Sequence, residues 1–224
     1  MCIRDRVRYW TEADASRMNI YLLVDPANDK KKKSDYTAMF VVGVDEKDDY
    51  YVLDMVRDRL NLTERADKLF ELHRQWKPIR VGYEKYGMQT DIEHFKDKME
   101  QDNYYFGIEA LGGNTAKFDR IRRLVPLFEA GRLFFPKVFV RKTYEGVNKD
   151  LVGAFLDEEY KAFPFGAHDD MLDCLARLTD CLLYTSDAAD ELLCVDLGGR
   201  RIIKKKKTPH HSNHCTIIDS SQPS

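Results

Sequence analysis

Three sets of carboxylates in this chain stand where the local sequence pattern changes. Oxygen ligands placed that way can hold a divalent ion. Asp25 ends a continuous apolar run, residues 20–24 (IYLLV), and Pro26 follows it. Glu84 ends a second short run, residues 79–83 (IRVGY). His168-Asp169-Asp170 opens a stretch whose apolar positions are Met171, Leu172, Leu175 and Leu178. Hard oxygen donors with no thiolate and little imidazole suit Mg2+ or Mn2+ rather than zinc. Two such ions about 3.5–4 Å apart can activate water and stabilise the leaving oxygen of a phosphodiester. Taken singly, each acid has a plainer reading: Asp25 turned to solvent, Glu84 paired with Lys85 or Arg80, Asp169 as a helix N-cap.

Bringing such acids together requires strands and a helix in a particular order. Residues 20–24, 36–44 and 50–57 read as three strands, and the short polar turn DEKDD at 45–49 joins the last two as a hairpin. Tight links predict an antiparallel meander. At residues 61–75 the period becomes helical, with Leu62, Ala66, Leu69, Phe70 and Leu72 on one side. The pattern then predicts a strand at 79–83, a helix at 89–101 and a strand at 104–111 broken by Gly112-Gly113. A helix at 116–130 closed by Gly131 follows, then a small hairpin at 133–140 interrupted by Pro136 and a helix at 150–160. The last helix opens at Asp169-Asp170. This order is an α/β domain with a mixed sheet. With the first and fourth strands as neighbours, Asp25 and Glu84 would emerge side by side.

The chain of 224 residues is 43% hydrophobic and 12% aromatic, enough for a substantial core. No apolar run reaches membrane-spanning length, and the first residues lack the pattern of a signal peptide. A formal net charge of −2 does not announce a nucleic-acid binder, so any basic surface must be local. Lys117, Arg120 and Arg123 recur every three residues and share a helix face that could neutralise phosphates. Lys30–Lys33, in the loop after Asp25, could track a backbone. Tyr86 and Met88 could border the cleft, and His168 could orient an acid. Solvation, packing or capping explains each of these equally simply.

Both ends look foreign. Residues 1–5 (MCIRD) and 181–191 (CLLYTSDAADE) can be encoded by one DNA element read on opposite strands, as a sequencing adapter would be. Of the five cysteines only Cys174 lies between those ends. No disulfide framework or cysteine metal site survives, which points to a reducing compartment. His210, His211, His214 and Cys215, and the basic run at 200–207, fall in the suspect tail and carry no weight.

The segments DPANDKKKKSDYTA, VGYEKYGMQTD, GGNTAKFDRIRRLVPLFEAGRLFFP and GAHDDMLDCLARL stand in an order and spacing that resemble the nuclease domain of the large terminase subunit of tailed bacteriophages. The resemblance spans roughly residues 21–178. It implies an RNase H-like fold, a mixed sheet of an antiparallel three-stranded part plus parallel strands, flanked by helices. It also implies a divalent-metal-dependent endodeoxyribonuclease that cuts concatemeric double-stranded viral DNA during packaging. Asp25, Glu84 and one of Asp169 or Asp170 would bind Mg2+ or Mn2+, two ions in all, with Asp173 as an outer ligand; Lys117 and Arg120 would meet DNA.

Adjacent residues at a helix start differ by about 100°. On that ground Asp169 is expected as the cap and Asp170 as the inward, catalytic ligand. The expected organisation is an adapter-like segment at 1–6, a connector at 7–19 from an ATPase domain, a nuclease domain at 20–180, and a disordered tail at 181–224. No GxxxxGK[ST] stretch is present, so motor activity would belong to that upstream part. Through the full-length protein the partners would be the terminase small subunit and the capsid portal, in the host bacterial cytoplasm and away from membranes. The rival readings are another RNase H-like nuclease of resolvase or transposase type, and a non-catalytic module docking DNA or the portal.

Overall fold

The structure is a computed structural model that describes residues 6–27, 36–112, 115–143 and 145–189, without the side chains of 86–90 and 183–189. The Lys30–Lys33 loop and the Tyr86 and Met88 side chains therefore lie outside the described residues.

The three-stranded meander is present: β2 (Asn19–Asp25), β3 (Thr37–Val44) and β4 (Tyr50–Asp58) pair antiparallel. β2 alternates its side chains between two cores, as a strand covered on both faces must. Leu22 and Val24 enter one apolar cluster, and Tyr21 and Leu23 enter the other. α1 (Leu62–Trp76) begins with a reciprocal cap: the Asn61 side chain accepts from the Glu64 amide at 2.9 Å, and Glu64 accepts from the Asn61 amide at 2.9 Å. Lys77 closes the helix with φ at 47°, and Pro78 forbids its continuation. β5 (Arg80–Glu84) follows, and α2 (Lys85–Gln101) starts on the very next residue, earlier than its periodicity predicts.

The rest departs from expectation in instructive ways. Residues 104–111 give only a short strand, β6 (Glu109–Leu111). The expected long helix is two, α3 (Lys117–Arg122) and α4 (Val125–Glu129), with Pro126 in the first turn of the second. Residues 133–140 form no hairpin; β7 (Leu133–Pro136) instead joins the main sheet parallel to β4. β1 (Arg8–Trp10), within the expected connector, pairs parallel with the other edge of β7. The main sheet thus has seven strands in the order β1-β7-β4-β3-β2-β5-β6. A separate hairpin, β8 (Val140–Lys142) and β9 (Asn148–Asp150), leads into α5 (Leu151–Ala154) and a π-helical segment, Phe155–Tyr160.

α6 (Asp170–Ala189) runs past the boundary expected at residue 180. Cys181 is fully buried in the same apolar cluster as Met171, Leu175 and Leu178, and Leu182 packs against it. Part of the segment expected to be a disordered tail is therefore helical and contributes to the core. No helix among the described residues is long and apolar enough to cross a membrane.

Candidate active site

β2 and β5 lie side by side and parallel, with Val24 opposite Tyr83. The next residue on each strand is an acid, so Asp25 and Glu84 leave the same end of the sheet together. Their carboxyl groups hydrogen-bond to one another. Burial, then Glu84, then the charge of Asp173 push Asp25 well above the usual carboxylate range. Burial works the same way on Glu84, but the hydrogen bond from Asp25 and the charge of Arg177 outweigh it and hold Glu84 low. Within this pair ionisation is disfavoured at Asp25 and favoured at Glu84.

α6 supplies the remaining acids, though from a different rotation than expected. Asp173 faces the Asp25–Glu84 end of the sheet, where the Arg120 guanidinium forks onto it: Nε to Oδ1 at 2.6 Å and Nη2 to Oδ2 at 2.7 Å. Lys117 Nζ lies 2.7 Å from Asp169 Oδ1 and 3.6 Å from Asp173 Oδ2. Arg177 Nη2 donates to Glu84 Oε1. Asp170 accepts from the Tyr36 amide at 3.3 Å and stands 3.9 Å from His168 Nδ1. His168 thus stands by Asp170, with its ring edge-on to Tyr36.

The reason for this rotation is the cap. Asp169 does not cap α6; the buried Glu159 does, accepting from the amides of Met171 at 2.8 Å and Leu172 at 3.0 Å. Asp169 is left free to turn toward Lys117. Arg57 Nε stands 3.3 Å from Glu159, and both side chains are fully buried. Burial raises Glu159 to about 7 despite the two amides and Arg57. Between its ordinary 4.5 and that value, the unfolded chain has released the proton and the folded chain has kept it. Stability therefore falls as pH rises across that window. Glu159→Gln should flatten this fall by up to about 3 kcal/mol, read as denaturation midpoints at pH 5 and pH 7.5. An unchanged pH slope would show that Glu159 is not the group responsible.

The expected phosphate contacts also change role. Arg120 is buried on Asp173, and Arg123 bonds Asp180 Oδ1 at 2.8 Å and Thr115 Oγ1 at 3.0 Å. The shared face of Lys117, Arg120 and Arg123 is real, but it meets the acids of α6. The donor set near Asp25 is all oxygen. Cys174, directly behind it, is sealed with Sγ on the Ala38 and Leu23 carbonyls at 3.3 and 3.6 Å. No three acid, imidazole or thiol groups among the described residues already close into a cage, each acid being tied to a cation or to its neighbour. Burial first, and then Glu84 and Asp173, disfavour the ionised form of Asp25, and a cation placed among these oxygens would favour it. A hard divalent ion fits that role.

Residues 22–177 match the family described as the terminase RNaseH-like domain. The chain belongs to that family. Its RNase H-like fold is shared with the large terminase nuclease of thermophilic phage G20c, at 14% identity over 80% of this chain and 95% of that one, TM-score 0.52. The zinc-bound G20c structure aligns at 15% identity over 80% and 95%, TM-score 0.53. The human cytomegalovirus terminase nuclease domain, Mn-soaked and inhibitor-bound, aligns at 13% over 79% and 89%, TM-score 0.55. No curated protein matches the chain.

In this terminase domain Arg177 and Glu159 lay outside the expected site, and Asp173 was expected only as an outer ligand. Arg177 and Asp173 share a helical stripe with Asp169 and Asp180, at steps of four, four and three. That stripe of three acids and one arginine along one face was the available signal. Glu159 gave no signal, because it caps a helix that begins eleven residues later.

Proposed function

We propose that this terminase domain is a divalent-metal-dependent endonuclease that cuts double-stranded DNA during viral genome packaging. The observation that carries the reading is the parallel β2–β5 pairing that sets Asp25 beside Glu84, with Asp173 of α6 against them. Support for metal comes from the zinc-bound and Mn-soaked relatives that share the fold. Asp25, Glu84 and Asp173 would hold a pair of Mg2+ or Mn2+ ions, with Asp169 at the rim. When bound, the ions supply an activated water and stabilise the leaving oxygen of the phosphodiester.

The chain's own groups prepare that site. Arg120 fixes the Asp173 carboxylate in one plane, and Arg177 holds Glu84 by one bond to its Oε1. The Glu159 cap sets the rotation of α6, and with it which acids face the strands. During packaging the terminase small subunit and the capsid portal would be reached through the rest of the full-length protein.

The test is plasmid cleavage in Mn2+ or Mg2+, which EDTA should abolish. Asp173→Asn should lose nearly all activity, about a hundredfold or more, as an electrostatic group removed from a catalytic site does. Asp170→Asn should keep most of it, because Asp173 and not Asp170 is the α6 acid whose charge acts on Asp25. Loss in Asp170→Asn with retention in Asp173→Asn would restore the rotation expected from sequence and refute this site.

A further inference from the structure

Three cations serve the acid cluster: Lys117, Arg120 and Arg177. They are not equally held. The Arg120 and Arg177 side chains are 7% and 3% exposed, and each is locked onto a carboxylate. Removing either cation would strand a buried charge. Lys117 is 44% exposed and makes a one-point contact through a flexible stem, and its closest partner, Asp169, is itself 38% exposed. A pair that open to water is worth roughly 1 kcal/mol or less.

Lys117 is also the cation that bridges acids. Its Nζ reaches both Asp169 and Asp173, and its charge is felt at Asp25. It is the first residue of α3, so its tip can swing away without unwinding the helix. Asp173 Oδ2 is shared between Arg120 and Lys117, and departure of the lysine returns acceptor capacity to that oxygen.

We propose that Lys117 is the resident counter-ion of this acid site and that a divalent cation binds by displacing it. The proposal rests on the metal-site reading above and specifies how that site is kept before metal arrives. Arg120 and Arg177 stay in place and hold Asp173 and Glu84, while the ammonium yields its position to the ion.

The test is calorimetric titration of the full chain with Mn2+ alone, without DNA, so that affinity is read independently of cleavage. Lys117→Met should bind Mn2+ about fivefold tighter than wild type, the free-energy equivalent of an exposed ion pair no longer broken. Lys117→Arg, which keeps a cation in place, should bind no tighter than wild type. Lys161→Met, the same charge change at a surface pair with Asp157, should leave affinity unchanged. Equal or weaker binding by Lys117→Met, with normal binding by wild type, would overturn the displacement. A matching gain in Lys161→Met would overturn it too, by reducing the effect to net charge. Absence of Mn2+ binding by the wild-type chain would refute the metal site itself, and this proposal with it.

Discussion

Asp25→Asn is expected to eliminate Mn2+-dependent cleavage and to raise the melting temperature of the metal-free domain. The two effects have one origin. Asp25 sits at the end of β2 against Glu84 and Asp173, so burial and crowding disfavour its ionised form. Its proton is released at lower pH in the unfolded chain than in the folded one, so ionisation costs stability increasingly as pH rises from the ordinary aspartate range of 3.8. Asparagine keeps the shape and removes that cost, but it cannot offer the anionic oxygen a divalent ion needs. The gain should be larger at pH 8 than at pH 5. For a domain of this size each kcal/mol corresponds to about 2–4 °C. Undiminished plasmid cutting by Asp25→Asn would rule out the site, and a lowered melting temperature would contradict the crowding.

Arg120→Met removes one partner of a buried ion pair and should cost about 3–5 kcal/mol by chemical denaturation. Arg120 forks onto Asp173 where both groups are nearly sealed from water. Its loss leaves a carboxylate in the protein interior with only the more distant Lys117 nearby. Arg122→Met, on the exposed side of the same helix, should cost within about 0.5 kcal/mol. A loss below about 1 kcal/mol in Arg120→Met would mean that the pair is solvated, as the sequence reading of a DNA-facing arginine implies.

The parts of the site legible in the sequence are those set by strand ends. An apolar run that stops on a carboxylate fixes where Asp25 and Glu84 stand, and the meander fixes which strands lie between other elements. The helical acid was not legible in the same way. Asp169, Asp170 and Asp173 lie within four positions, and the choice among them depends on helix phase. That phase is set by Glu159, from an earlier segment, through two amide hydrogen bonds. The basic face of α3 was read correctly as a face, but its partner was not: only the tertiary packing of α3 on α6 shows that Arg120 and Arg123 are spent on Asp173 and Asp180. β1 was missed because three residues cannot establish a period, and β7 was expected in a local hairpin rather than beside β4 in the main sheet. Pro136 suggested a break, yet it is the last residue of β7, where a missing amide donor is tolerated.

Cys174 gives the domain a clock of its own. Its thiol lies midway between Asp173 and Leu175 on α6, bonded to carbonyls of β2 and β3, and burial raises it well above its ordinary range. A sulfur in that state does not react while the helix is docked. Were α6 to lift from the sheet, this thiol would come within reach of an alkylating reagent. The same movement would withdraw Asp169, Asp173 and Arg177 from the strand ends, so alkylation of this sulfur would report on the acid cluster's integrity.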